Sequence, residues 1–600
     1  MAVLSSAGHS VTRVDAAAKV TGEAEFPGDV RREGMLHGKV VRSPHAHARI
    51  LEIDTTAAMK VPGVAAIVTA LDTPPVPISH PYPDRYLFPP DRIVRYVGDA
   101  VAAVAADTED TAEKAAALIK VRYEELPAVI DVEEAYAVDP KVIIHPNIAE
   151  YHARSAQAGA PLLRDPQRPN VFRHFPIRKG DAARGFDEAD FIVEDRYETP
   201  RIHHSQLETC VSVAWFEPDG TLRVRTASQG VTGTRQLLCV AFNLPPEKVI
   251  VDCPYLGGGF GGKGRNITSP YAAFLARKTG KPVRVSLTRA EHFHCGRSRI
   301  GLVTYLKDGV KKDGTIVSRQ VTMLVNGGAY AESAVTIARN CAFGAVGIYN
   351  IANFRLDAYG IHTNTPMAGA FRGFGSAEVG WAIENQMDVI AEKLGMDPLA
   401  LRRKNTLRDG DYDACGQLVR GMGLPQCIDE VQGWLARDEA TPTLPGNWRR
   451  GKGIALANKF THSGAPSAAV VRVLADGSVE VRHSSHEIGM GVDTVAAQVA
   501  AETFGIKMSD VTVLSGNTGL CPPGAGPFSS RETFHVGNAV LGASADAKKQ
   551  LCRMGAPFLN AAEDELEVRN KKVFVIAQPD RSIAIRELLN PIGADTARGE

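Results

Sequence analysis

Between residues 378 and 394, apolar side chains recur every three or four positions: Val379, Ala382, Ile383, Met387, Ile390, Ala391 and Leu394. That spacing puts them on one face of a helix, and Gly395 marks its end because glycine accepts the left-handed stop conformation. The N-terminal quarter has a different rhythm. Short apolar runs at 40–41, 65–68 and 101–105 alternate with turns, as half-buried and buried strands do. A helix is predicted over 112–119 with Thr108 or Thr111 as its N-cap, then a strand from Val121 that stops at Pro127. Proline recurs through 136–170, which reads as a linker wrapped over a surface. Two later loops feed helices predicted over 494–504 and 536–552. The pattern implies a mixed α/β (α+β) multidomain chain.

One segment departs from both rhythms. Five of the seven residues in Gly257-Gly258-Gly259-Phe260-Gly261-Gly262-Lys263 are glycine. The run follows a strand-like stretch, Val249-Ile250-Val251, and precedes a helix-like one at 272–276. A strand, a bare-backbone loop and a helix N-terminus in that order form an anion cradle. Three tenants compete for it. Gly257, Gly262 and Lys263 match a phosphate-binding loop, although Gly264 stands where that motif needs Ser or Thr. Gly257, Gly259 and Gly262 match a dinucleotide fingerprint, although 280–286 holds no acid for a ribose. A tightly packed turn is the third reading. It is less comfortable with five glycines, each costing roughly 0.5–1 kcal/mol against Ala in ordered structure.

Bulk properties narrow the field. The 600-residue length suggests about four domains. Lys plus Arg equals Asp plus Glu at 68 each, so nothing points to nucleic acid or an anionic membrane. No apolar run is long enough for a membrane span, and the first residues carry no export signal. Nine cysteines lie far apart without a C-x-x-C pair, which predicts a reduced, cytoplasmic chain and no iron–sulfur cluster of its own.

A second constellation is Ala370-Phe371-Arg372-Gly373-Phe374-Gly375, where a fixed cation sits between two aromatic rings. Arg can grip a planar or anionic group with a fork of hydrogen bonds, and a ring can stack on a flat substrate. Taken with the glycine run, residues 42–50, Ser529-Ser530-Arg531 and Gly537-Asn538-Ala539-Val540, it resembles the molybdopterin-binding large subunit of the xanthine dehydrogenase / aldehyde oxidase family. The likeness runs from about residue 10 onward in the family's order.

The resemblance implies an α/β hammerhead-like domain at 10–135 and the linker at 136–170. Molybdenum-cofactor domains at 171–410 and 411–600 would follow, the second C-terminally incomplete. It implies a molybdopterin cofactor, in a cytosine dinucleotide form, with no protein metal ligands. Gly258, Gly259, Phe260, Gly261, Arg372, Gly489, Gly491, Ser529, Ser530 and Arg531 would hold that cofactor, and Phe374 and Gly264 would face substrate. Electrons would leave through a [2Fe-2S] small subunit and a medium subunit carrying FAD, in a dimer of heterotrimers without nucleic-acid or membrane partners. The activity implied is hydroxylation with water-derived oxygen, or reductive dehydroxylation, of an aromatic, N-heterocyclic or aldehyde substrate. A phosphate-loop nucleotide enzyme and a catalytically incomplete cofactor-binding subunit are the alternatives.

Several positions depart from the family. Gly264 replaces the glutamate of purine-oxidising members, and the 370–375 loop lacks the cysteine of carbon-monoxide-oxidising ones. Met490 and Ile202 stand where glutamine is usual, and Ile202 resembles the branch that includes 4-hydroxybenzoyl-CoA reductase. The segment 203–208 resembles the stretch near the metal, although two adjacent histidines on a strand would point to opposite faces. The family's catalytic glutamate is expected beyond residue 600, Glu600 reads as a surface charge, and no catalytic residue is assigned.

Overall fold

The apolar runs of the N-terminal quarter do not close a sheet of their own. In the computed structural model, which describes residues 4–79, 82–151, 164–264, 267–437, 445–459 and 464–589, they join strands from far along the chain. One seven-stranded sheet runs in the order Val249–Asp252, Leu222–Thr226, Val211–Phe216, Val283–Ser286, Leu36–Arg42, Ala100–Ala106, Val64–Val68. The seam is the parallel pairing of Leu36–Arg42 with Val283–Ser286, Leu36 opposite Val283. The segment at 136–170 therefore divides the chain without dividing this sheet. Every residue of Ala100–Ala106 is buried, because both faces are covered and small side chains let the layers approach.

Helix Glu109–Leu118 starts where its cap is predicted: the Thr108 side chain accepts the N–H of Thr111, an arrangement worth about 1 kcal/mol. Strand Lys120–Glu125 follows and ends before Pro127. In the segment beyond it, Val142, Ile144 and His145 are buried, so its described part is anchored rather than draped.

A second sheet is ordered Val171–Lys179, Asn353–His362, Ile316–Gly328, Gly301–Val310, Phe191–Thr199. Helix Ser376–Leu394 lays its predicted apolar face on this sheet and stops at Gly395, φ 61°. A third, three-stranded sheet (Ala469–Val473, Val479–His483, Val511–Leu514) packs under helices Val492–Phe504 and Glu532–Leu559. The last helix extends beyond its predicted span at both ends and accommodates Pro557 near its C-terminus. The chain's first segment returns to this unit: the Glu502 carboxylate accepts the N–H groups of Ser5, Ser6 and Ala7. Glu600 lies outside the described residues.

Candidate active site

The glycine run connects strand Val249–Asp252 to helix Ser269–Thr279, and close approach demands its glycines. A Cβ at Gly259 would stand 2.6 Å from Gln229 Oε1, and one at Gly261 would overlap the Ala370 carbonyl oxygen. Gly258 and Gly261 have φ of 91° and 105°, where other side chains are strained. Gln229 braces the loop from within: its Oε1 accepts the Gly261 N–H at 2.9 Å, and its own N–H donates to the Lys263 carbonyl. Gln206 Nε2 donates to the Gly259 carbonyl at 2.9 Å. Gly264 has room around it, the nearest atom to a Cβ there being Gly261 O at 3.6 Å.

Two expectations fail at this loop. Lys263 does not reach into the mouth; its side chain is fully buried and Nζ lies 2.8 Å from Glu208 Oε2. The same carboxylate oxygen accepts the Gly257 N–H at 3.0 Å. A phosphate-binding lysine must extend to its ligand, so the phosphate-loop reading is excluded. Nor is the helix N-terminus open. Thr268 and Ser269 are buried, and the Ser212 hydroxyl bonds those of Thr226, Thr268 and Ser269 at 2.8–2.9 Å. Hydroxyls of the chain itself therefore bond one another at the start of this helix.

Residues 370–375 lie directly against the glycine run. The Arg372 N–H donates to the Phe260 carbonyl at 2.9 Å, and the Arg372 guanidinium sits 5.1 Å from the centre of the Phe260 ring. A fixed cation thus rides on a ring that is 40% exposed. Phe371 is held differently: the His204 ring stacks on it at 4.2 Å and the Arg299 guanidinium also lies 4.2 Å from its centre. Arg299 in turn pairs with Glu378 at 2.9 Å and donates to the Arg372 carbonyl at 2.8 Å. Phe374, φ 51°, is half-buried against the core of the second sheet.

The 203–208 segment is not a strand carrying a surface histidine pair. His204 is buried and its Nε2 donates to the Ala370 carbonyl at 2.7 Å, while His203 packs against His292 and Phe293. Burial pushes the His204 pKa down to about 4, so the ring is neutral at pH 7.

The opposing face comes from residues 484–491 and 524–531. Gly489 and Gly491 both give their N–H groups to Glu487 Oε1, at 2.6 and 3.1 Å, and Arg13 lies 3.3 Å from that oxygen. A carboxylate of the chain itself therefore already takes the N–H groups just before helix Val492–Phe504. Arg531 is fully buried. Its guanidinium donates to the carbonyls of Gly526, Ala465 and Pro466 and to the Ser467 hydroxyl, at 2.6–3.2 Å. Ser529 and Ser530, φ 57° and 56°, turn the chain into helix Glu532–Leu559. Residues 228–230 join the two faces: His486 Nε2 donates to the Ser228 carbonyl at 2.8 Å, and a Cβ at Gly526 would stand 2.7 Å from Gln229 O.

Backbone strain concentrates here. Of eleven non-glycine residues with positive φ among the described residues, six (Ser205, Phe260, Glu332, Phe374, Ser529 and Ser530) lie in or behind these loops, whereas Asn243 and Asn560 are ordinary helix stops. Each such residue costs roughly 1–3 kcal/mol and persists only where the surroundings enforce it. Buried polar atoms without partners among the described residues lie on both faces: Gln206 Oε1, Glu208 Oε1, His203 Nε2 and His204 Nδ1 beside the glycine run, and Ser485 Oγ, His486 Nδ1 and Glu487 Oε2 opposite. Sequence reasoning missed Gln206 and Gln229 as braces. Gln206 lay inside the 203–208 segment already singled out, but nothing around Gln229 signals its role.

Residues 163–406 and 428–597 match the molybdopterin cofactor-binding domain family, and residues 21–127 match the a/b hammerhead domain of aldehyde oxidase and xanthine dehydrogenase. The chain is 33% identical over 594 residues to a putative xanthine dehydrogenase molybdenum-binding subunit of Escherichia coli, covering 95% of this chain and 76% of that one. It is 30% identical over 587 residues to an aldehyde oxidoreductase of Megalodesulfovibrio gigas, covering 94% of this chain and 62% of the relative. The crystal structure of quinoline 2-oxidoreductase from Pseudomonas putida superposes with a TM-score of 0.82 at 25% identity, covering 100% of this chain and 77% of that one.

Proposed function

The chain belongs to the xanthine dehydrogenase and aldehyde oxidase family as the molybdopterin-binding large subunit of an oxidoreductase, and on that premise we propose that it hydroxylates an aldehyde or an aromatic N-heterocycle, or runs the reductive counterpart. The observation that carries this reading is the pairing of strained loops with unpartnered buried atoms. Gln206 Oε1, Glu208 Oε1 and His204 Nδ1 lie behind a glycine run where side chains would clash. All three atoms are acceptors, so a ligand edge rich in N–H donors, such as the pterin's, fits them, because buried polar atoms cost free energy until they are hydrogen-bonded.

When bound, the molybdenum cofactor supplies two-electron redox chemistry and transfer of water-derived oxygen. The chain's residues do the positioning. Gly258, Gly259 and Gly261 let the backbone come close, and Phe260 with Arg372 forms a cation-capped wall. Arg372 brings a guanidinium fork to an anionic or carbonyl edge. Ser529 and Ser530 present small polar side chains from the other face, while Arg531 keeps their loop in shape. Gly489 and Gly491 line a path for the dinucleotide, which we assign as the cytosine form. Phe374 and Gly264 flank the substrate, and the missing side chain at Gly264 favours substrates other than purines. Glu208, Glu378, Glu332 and Glu487 each have a cationic partner in the fold, so none is assigned as the proton acceptor.

A [2Fe-2S] small subunit and a medium subunit carrying FAD are proposed as electron carriers, in a dimer of heterotrimers. The relative named as a molybdenum-binding subunit supports a division of cofactors among chains. All nine cysteines are free, which supports a cytoplasmic setting, and no helix among the described residues is long and apolar enough to cross a membrane. Turnover of the purified complex with aldehydes, N-heterocycles and aromatic acyl-CoA esters tests the substrate class. Turnover of none of these, with molybdenum bound, would leave a cofactor-binding subunit without catalysis.

A further inference from the structure

Far from any motif, Asp84, His145 and His362 meet in the interior. They come from the loop before Tyr86, the segment at 136–151 and the end of strand Asn353–His362, and each is at most 3% exposed. One ligand atom from each lies within 4.8 Å of the others. From this arrangement we propose a second metal site that binds a zinc-type divalent cation through two imidazoles and one carboxylate.

The hydrogen bonds fix which atoms are available. His145 Nε2 lies 2.8 Å from the Ala329 carbonyl and His362 Nδ1 lies 3.3 Å from the Gly328 carbonyl. Carbonyls only accept, so both nitrogens carry the proton of the neutral ring, and the lone pairs sit on His145 Nδ1 and His362 Nε2. Metal-binding histidines have this arrangement, with the second N–H held by a backbone carbonyl. Asp84 Oδ2 accepts the Ala331 N–H at 2.6 Å, but Asp84 Oδ1 is buried without a partner among the described residues. An orphaned carboxylate oxygen in a buried cluster with two imidazoles is costly unless something positive joins it. The Tyr151 hydroxyl lies 3.1 Å from His145 Nδ1, but it also donates to Asn147 Oδ1 at 2.9 Å, so its one proton cannot serve both.

Two histidines and a carboxylate with one open position are the donor set of three-ligand zinc sites. Bonds of about 2.0–2.2 Å require the donors to draw together by roughly 1 Å. The ion would clamp three segments up to 278 positions apart. It would also brace the site loops, because Arg85, next to Asp84, pairs with Glu332, which holds Arg297 against Gly369.

Metal analysis of the full complex, made with and without molybdate, tests the site independently of the molybdenum cofactor. About one zinc, iron or cobalt per chain, beyond any in the partner subunits, should persist in both preparations. Asp84→Asn should lower it at least about tenfold while molybdenum content holds. Should that variant not fold, cobalt titration of the unmodified metal-stripped protein decides: visible d–d bands with a raised unfolding temperature support the site. No stoichiometric ion and no cobalt spectrum would overturn it, leaving a hydrogen-bonded His–Asp cluster.

Discussion

The two faces of the site use similar residues in opposite ways. On the glycine-run face, Arg372 is exposed over the Phe260 ring. On the facing side, Arg531 is fully buried with four acceptors, and Glu487 already takes the N–H groups of Gly489 and Gly491. Two arginines in family-like motifs therefore do different work: one is poised toward a ligand, and the other folds the loop that carries Ser529 and Ser530. The same division separates Phe260 from Phe371, an exposed ring from one covered by His204 and Arg299.

Breaking the buried side of this comparison should cost most. Lys263→Met leaves Glu208 charged and unpaired, and about 3–5 kcal/mol of stability should be lost in urea unfolding. A loss below about 1 kcal/mol would mean that the pair is solvated rather than buried. Arg531→Met strips a cation from buried acceptors and should cost on the order of 3 kcal/mol, with faster proteolysis near 524–531.

Acidification tests both faces together. Burial lowers the pKa of His204 and of His486 to about 4, from an ordinary 6.5. The unfolded chain binds those protons first as pH falls, so stability is full above pH 6.5 and declines towards pH 4, by up to about 1.4 kcal/mol per pH unit per ring. His204→Gln and His486→Gln should each flatten that limb of the unfolding-temperature profile by one proton. An unchanged slope would show the rings to be solvated. Phe260→Gly separates stability from function more finely. It relieves a positive φ of 53° and should raise stability by about 1 kcal/mol in thermal unfolding while turnover falls.

Much of the frame was legible. The period of Val379, Ala382, Ile383 and Met387 placed helix Ser376–Leu394, and Thr108 capped its helix as its hydroxyl chemistry demands. The shared seven-stranded sheet was not legible, because nothing local in Leu36–Arg42 says that it pairs with Val283–Ser286. At the site, the glycines announced a close approach but not its cause. That cause is Gln206, Gln229 and Ala370, brought together only by the fold. Lys263 looked like an anion ligand because composition cannot show that Glu208, 55 positions away, is its partner. Asp84, His145 and His362 carry no spacing signal at all for the same reason.

The most direct test is molybdenum per chain in Arg372→Ala against the unmodified complex, with thermal unfolding alongside. The unmodified chain should hold about one molybdenum with a pterin cytosine dinucleotide. The variant should lose most of it while stability stays within about 0.5 kcal/mol, as for an exposed side chain. Magnesium and a simple nucleotide without molybdenum, or a variant that keeps its molybdenum, would contradict the assignment of this face.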